Sequence, residues 1–330
     1  MSDPEQIVDE KSIGVYCLAN DEALEWFQAF VRSFRKFNPV LPLTVIPYNA
    51  DVFKLAALRA EFNFTLMDQA TAAWFDAIAD RVAGQNISGG TFRKLSCFLG
   101  GYDSFMFFDS DIVVTMPFDG LMAAFDQSPY DVVYFDTDMM VFKPEFAREM
   151  MAKYNAFGFN SGAFMSRKTA ISEVEILAAV ASGEKIREDF ACWGEQPFLN
   201  YLFQVSRCRM THVNRLAPEL TFKPKSWMPF RHDSTNGSFL DPELGRLPLI
   251  HWAGDEYPTM TRKEIFLEFR TFGMSDAERA SYRREFYFRR FRKHLKHTLL
   301  KTRLFGGWLE RREAASAKNT GESGPPPFPE

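Results

Sequence analysis

The chain has only four cysteines in 330 residues and no Cys-x-x-Cys pair, which excludes a disulfide scaffold and a cysteine-based zinc site. Cys17, Cys97, Cys192 and Cys208 lie far apart, and three sit in apolar stretches, so reduced, buried thiols are expected. No stretch is both apolar and long enough to span a bilayer, and the first ten residues, MSDPEQIVDE, show neither a basic start nor an apolar run. The expectation is therefore a cytoplasmic protein. Repeats with a period of tens of residues are also missing, so solenoid and propeller architectures are set aside.

What is present is ordinary in amount and unusual in kind. Hydrophobic residues make up 46% and charged residues 25%, as in a globular protein, but 35 phenylalanines point to an aromatic-rich core. The length suits one large α/β domain with a tail. Ile13-Gly-Val-Tyr-Cys-Leu-Ala reads as a buried strand. Asp21 then starts a helical pattern through Leu24, Phe27, Val31 and Phe34 that stops before Asn38-Pro39, and Leu43-Thr-Val-Ile-Pro follows as a strand. The same order recurs through residues 105–114 and 131–135, predicting a mostly parallel sheet covered by helices. Ligands bind such sheets beyond the carboxyl ends of the strands, where Asn20, Asp21, Asp109 and Asp111 fall.

The strongest chemical signal is Phe105-Met-Phe-Phe-Asp109-Ser110-Asp111, preceded by Lys94-Leu95-Ser96-Cys97. Side chains alternate faces along a strand, so Asp109 and Asp111 are expected on one side, and two carboxylates suit a hard divalent cation. The competing reading is a turn or helix cap, in which each carboxylate accepts from a nearby backbone N–H. A second Asp-x-Asp, Tyr134-Phe-Asp136-Thr-Asp138, shows how little the pattern says alone. Three segments supply context: Gly158-Phe-Asn160-Ser161-Gly162, Trp193-Gly-Glu195-Gln196-Pro, and Leu249-Ile-His251-Trp-Ala-Gly254-Asp-Glu-Tyr257-Pro258. Each has a plainer reading. His251 fits a hydrogen-bonded core histidine, Asn160-Ser161-Gly162 a turn with Gly162 at positive φ, Glu195 a helix cap, and Trp193 and Trp252 packing rather than sugar stacking.

Together, over roughly residues 12 to 260, these segments resemble the nucleotide-sugar glycosyltransferases of GT-A fold, and within them glycosyltransferase family 8. The resemblance implies an α/β GT-A fold with a mostly parallel central sheet flanked by helices and a helical C-terminal extension. Asp109 and Asp111 match the family's metal-binding pair, and His251 matches the third protein ligand to Mn²⁺ or Mg²⁺. Lys94 matches a basic residue that contacts the donor, while Ala19, Asn20 and Asp21 fall where the first strand meets nucleobase and ribose. Ser110 and Gly254 complete the implied donor contacts. Asn160, Glu195 and Gln196 match the sugar pocket. Their chemistry agrees: neutral amides bond sugar hydroxyls or a developing cationic anomeric centre without titrating, and a carboxylate accepts from a hydroxyl. Two departures stand out. The family usually has Lys where this chain has Tyr257, which leaves Lys94, Arg93, Arg262 and Lys263 as candidates to neutralise phosphate. Its Asp-Gln appears here as Glu195-Gln196.

Residues 278–312 carry twelve Lys or Arg against three Glu, in a chain of net charge −4. Phe288, Phe291, Leu295 and Leu299 fall on one helical stripe among Arg289, Arg290, Arg292, Lys293 and Lys296, and Gly306-Gly307 then Trp308 follow. A basic amphipathic helix of this kind can lie on an anionic membrane surface or pack its stripe on the catalytic domain. No recognised nucleic-acid-binding pattern accompanies the charge, so nucleic acid is set aside as a partner.

The resulting expectation is a flexible segment 1–11, a GT-A domain 12–265, a basic helical segment 266–312 and a disordered tail 313–330. The expected enzyme is a hexosyltransferase, moving a sugar from a UDP-type donor to a glycan, lipid-linked or protein hydroxyl in surface or lipid-linked glycan assembly, with retention implied by the resemblance. The alternatives are an inactive binding protein of the same fold at the membrane surface, and a sugar nucleotidyltransferase. The latter expects a Gly-rich loop after the first strand, where this chain has Ala19-Asn20-Asp21-Glu22.

Overall fold

The computed structural model describes residues 12–82, 89–136, 141–154, 158–191, 194–218, 240–241 and 245–301. The readings made on residues 1–11, Asp138, Cys192, Trp193, Gly306, Gly307, Trp308 and the tail 313–330 lie outside these.

Strands β1 (Ile13–Ala19), β2 (Leu43–Pro47), β3 (Thr65–Leu66) and β4 (Ser104–Asp109) run parallel. β5 (Ile112–Val114), β6 (Val132–Tyr134), β7 (Ala163–Arg167), β8 (Met210–His212), β9 (Leu240–Asp241), β10 (Gly245–Arg246) and β11 (Leu249–His251) follow. Seven of them form one sheet in the order β3-β2-β1-β4-β7-β6-β8. Only β7 runs against its neighbours, β4 and β6, while β6 and β8 are again parallel. The mostly parallel sheet expected from the sequence is therefore the one observed. β1 and β4 are buried along nearly their whole length, which is why they read as continuous apolar runs rather than alternating ones.

The phenylalanines fill the space around this sheet. Phe105, Phe107 and Phe108 on β4 are fully buried. Phe107 stacks on Phe164 at 5.4 Å and Phe108 on Phe118 at 5.5 Å, offset ring geometry that adds to the burial of their large surfaces. The helix Leu24–Phe37 buries Phe27, Phe30, Val31 and Phe34. Its Glu25 in the first turn and Arg35 and Lys36 in the last suit the helix dipole. Of the cysteines, Cys17 and Cys97 are buried and Cys208 is half-buried, its thiol 3.3 Å from the Ala170 carbonyl.

Arg35 ties the end of this helix to the chain around β2 and β3. Its guanidinium donates to the carbonyls of Phe62 at 2.8 Å, Leu41 at 2.7 Å and Asn38 at 3.2 Å, and to Asn63. Arg35→Met keeps the apolar stem and removes the donors, so it is expected to cost about 3 kcal/mol of stability. Urea unfolding measures it; a loss under about 0.5 kcal/mol would mean that those carbonyls find water instead.

One expected strand is in fact two. Residues 105–114 break at a turn through Ser110 and Asp111, after which β5 leaves the large sheet and pairs antiparallel with β11. Asp109 and Asp111 therefore do not share a strand face by alternation. The turn brings them together.

The chain divides into two compact units: Met1–Ala253 with Glu264–Phe272, and Gly254–Lys263 with Gly273–Glu330. The second unit is built on the helix Asp276–Lys301. Tyr257 sets its ring 5.7 Å from that of Phe286 and its hydroxyl 3.4 Å from that of Tyr282. Lys293 donates to the Tyr257 carbonyl and pairs with Glu256, and Arg290 donates to the carbonyls of Pro258 and Met260. Phe288, Phe291 and Leu295 are 55%, 63% and 46% exposed, so the stripe picked out in the sequence is not the face that holds this helix to residues 256–260. No helix among the described residues is long and apolar enough to cross a membrane.

Candidate functional site

β4 ends at Asp109, with Ser110 and Asp111 in the turn that follows. β11 returns beside β5 in a register that sets His251 opposite Ile112, and the Trp252 N–H donates to the Asp111 carbonyl at 3.0 Å. A ladder between residues 135 to 139 apart in sequence thus places the imidazole against the turn. His251 Nε2 lies 3.3 Å from Asp111 Oδ1, and one ligand atom from each of Asp109, Asp111 and His251 falls within 4.8 Å of the others. Two carboxylates and an imidazole so placed suit a divalent ion such as Mn²⁺, which accepts oxygen and nitrogen ligands.

Lys94 enters from the other side on the 3-10 helical run Gly89–Leu99. Its ammonium is 2% exposed and lies 2.5 Å from Glu195 Oε1, 3.3 Å from Asp109 Oδ1 and 4.9 Å from the centre of the Phe107 ring. Ser161 completes the group: its hydroxyl donates to Glu195 at 2.8 Å, and Lys94 Nζ is 3.4 Å from both its hydroxyl and its carbonyl. Burial pushes the Asp109 carboxyl up; Lys94 opposes that in part, Asp111 and Glu195 add to it, and the result is about 6. For Asp111, burial acts the same way but His251 outweighs it and holds the carboxyl below its ordinary value. Burial likewise raises Glu195, yet Lys94 and Ser161 bring it below the ordinary glutamate value. Burial alone would lower His251, and Asp111 reverses this. The site is thus three carboxylates, Glu195 buried and Asp109 and Asp111 half-buried at the cavity wall, set against an ammonium and an imidazole. A divalent cation fits such an excess of acid and would displace the imidazole proton as it binds.

A cavity of about 440 Å³ opens beside this cluster, lined by Asn20, Tyr48, Thr91, Lys94, Asp109, Asp111 and Glu195 among others. That is room for a small ligand. Ala19 and Ser110 line it too, as the sequence led one to expect. Trp26, Tyr48, Thr91 and Glu22 were not singled out from the sequence. Tyr48 directly follows the carboxyl end of β2, and the strand-end rule could have found it.

Several expected site residues are engaged elsewhere. Asp21 accepts from the N–H groups of Lys54 at 2.9 Å and Leu55 at 2.8 Å, spending both oxygens on that helix start, and it does not line the cavity. Asn20 does line it, while its side-chain oxygen caps the Ala23 N–H. Arg93 forms a two-pronged pair with Asp76 and donates to the Pro47 carbonyl and Gln69, so it is a structural clamp rather than a phosphate ligand. Asn160 accepts from the Gly162 N–H, and Gln196 Oε1 from the Ser161 N–H, each at 2.9 Å. Neither lines the cavity, although Gln196 follows Glu195 and bonds the same serine residue. Trp252 is 1% exposed and packs between Trp26 and Phe266, which excludes it as a sugar platform. Gly254, Tyr257, Arg262 and Lys263 belong to the second compact unit. Lys94 is the one cation among the described residues lining the cavity.

No protein-family model matches the sequence, and no curated protein matches it. Solved structures do. The galactosyltransferase LgtC, in complex with donor and acceptor sugar analogs, matches over 81% of this chain and 99% of its own at 16% identity, with a TM-score of 0.52. An active-site mutant of LgtC matches over the same shares at 15% identity and 0.53. The bifunctional glycosyltransferase WbbM in its apo form matches over 83% of this chain and 52% of its own, at 16% identity and 0.49, so the chain spans about half the length of that protein. At these identities the likeness is one of fold. The shared fold is GT-A, with a mostly parallel sheet and a helical C-terminal region.

Proposed function

We propose that this chain is a metal-dependent glycosyltransferase that takes its sugar from a nucleotide-diphosphate donor, UDP-linked by resemblance, and passes it to a hydroxyl acceptor with retention. The observation that carries this reading is the convergence of Asp109, Asp111 and His251 beside a cavity walled by Asn20, Lys94 and Glu195. Asp109, Asp111 and His251 would hold Mn²⁺ or Mg²⁺, which supplies Lewis-acid stabilisation of a departing diphosphate.

The rest falls to the chain's own groups. Lys94, charged and buried, faces the cavity and contributes the positive charge that the family's missing lysine would otherwise add; Tyr257, at that position, packs within the second unit. Lys94 and Ser161 share one oxygen of Glu195, which keeps the carboxylate ionised and ready to accept from a sugar hydroxyl. Gln196 is held by the Ser161 N–H next to that carboxylate, and Asn160 by the Gly162 N–H beside His251. Asn20 and Ala19 line the cavity at the end of β1, where ribose and base would lie. Burial of Lys94 and Glu195 keeps water from that pair and strengthens it. Calorimetry with UDP and a panel of UDP-sugars, with and without Mn²⁺, tests the reading. Tight binding that requires the metal supports it, and no nucleotide binding under either condition would overturn it in favour of an inactive protein of the same fold.

The same reading places the protein on an anionic membrane, where glycan or lipid-linked acceptors are assembled. Its support is the exposed Phe288, Phe291 and Leu295 beside Arg289 and Arg292 on one long helix. Sedimentation with vesicles containing phosphatidylserine is expected to bring the protein down at low salt, and F288S/F291S to reduce this by about tenfold. Equal sedimentation of the variant would remove the membrane from the proposal.

A further inference from the structure

Gly162 lies in the turn just before β7, between Ser161 and Ala163, and no positive φ there demands glycine. Ser161 and Gly162 do form a turn, but the glycines at positive φ among the described residues are Gly194, Gly254 and Gly273, so the positive φ expected at Gly162 does not explain it. Space does. A Cβ on Gly162 would lie 2.4 Å from His251 Cε1, 3.0 Å from His251 Nε2 and 2.9 Å from Asn160 Oδ1. Carbon atoms do not approach that closely, so something must move.

The backbones on both sides are pinned. Gly162 accepts from the Asp109 N–H at 2.8 Å through its carbonyl and donates to Asn160 Oδ1 at 2.9 Å. His251 is held by the β11–β5 ladder, with the next residue's N–H on the Asp111 carbonyl. The remaining freedom is rotation of the imidazole, which is 3% exposed and sits 3.3 Å from Asp111. Rotating it would carry Nε2 away from Asp111 Oδ1.

We infer that Gly162 is a positioning residue for the candidate metal site: its missing side chain seats the His251 imidazole, and its carbonyl ties that seat to the backbone of Asp109. The inference rests on the metal-binding reading for its functional consequence, and on packing alone for its structural one.

Two measurements on the full chain separate these. Mn²⁺ binding, followed by the electron paramagnetic resonance signal of the free ion, is expected to weaken roughly 10- to 100-fold in Gly162→Ala, the range seen when a ligand's orientation is disturbed. A thermal double-mutant cycle supplies the second readout. Gly162→Ala should lower Tm clearly in the natural background and less when His251→Ala is already present, because the imidazole, which makes the closest contact, is then gone and only Asn160 Oδ1 at 2.9 Å remains. Equal Tm losses in the two backgrounds, or unchanged Mn²⁺ affinity in Gly162→Ala, would overturn the inference. If Gly162→Ala alone fails to fold, a folded double variant supports it and an unfolded one overturns it. If the natural protein itself binds no Mn²⁺, the metal reading falls, and the thermal cycle still decides whether Gly162 seats the imidazole.

Discussion

Asp111→Asn is expected to abolish metal-dependent nucleotide binding and to lower glycosyl transfer by roughly 10²- to 10³-fold or more. The change preserves shape and removes one negative charge. Asp111 is the carboxylate that contacts His251, and its backbone carbonyl is where β11 returns to the turn. With Asn in place, the imidazole loses the carboxylate that raises its affinity for a proton, and a cation loses one anionic ligand of two. Asp109→Asn is expected to act in the same direction. Initial-rate assays with a UDP-sugar across a Mn²⁺ titration provide the measurement. A variant with unchanged rate and unchanged metal dependence would remove Asp111 from the site.

Lys94→Met carries the largest expected cost to stability, about 3–5 kcal/mol at neutral pH, because it strips the ammonium from a buried cluster and leaves Asp109 and Glu195 facing each other without it. Removing the charge differs from replacing the whole cluster with apolar groups, which could be neutral. Here the acids stay behind. The pH dependence follows from Glu195. Lys94 and Ser161 hold its folded value below that of the unfolded chain, so in the natural protein this pair contributes stability that is present above the ordinary glutamate value of 4.5 and is lost as pH falls through the lower folded value. Without Lys94, burial dominates and Glu195 takes up a proton on folding, so the deficit of Lys94→Met should be largest near neutrality and shrink towards pH 4. Urea unfolding of both proteins between pH 4 and 8 checks this. A pH-independent difference would mean that Lys94 stabilises by packing on Phe107 rather than by charge. Mn²⁺ should restore part of the loss, since the added cation faces the same carboxylates.

The sequence by itself determined the class of fold and the residues with metal-binding chemistry. Continuous apolar runs mark strands buried on both faces, so Ile13–Ala19 and Leu43–Pro47 were legible to the residue, and the helical period carried Leu24–Phe37. Asp109, Asp111 and His251 were legible as types and by resemblance. What brings them together was not. The expected face-sharing of Asp109 and Asp111 along one strand gives way to a turn, because β5 has a second strand to pair with, whose residues lie 135 to 139 positions on. Local periodicity carries no information about such a partner.

The same limit hid where several polar side chains spend their hydrogen bonds. Asp21 and Arg93 look like ligand-binding groups in a linear motif, yet Asp21 caps a helix start 33 residues away and Arg93 pairs with Asp76. Buried polar groups must find partners, and which partner is near is a property of the folded chain. Ser161, with no role in the sequence reading, bonds Glu195 and Gln196 for this reason. Gly162 is the sharpest case. A glycine in a short polar segment suggests a turn, but only the packed structure, with the His251 ring 2.4 Å from where a Cβ would stand, shows that the residue is small to leave room for another.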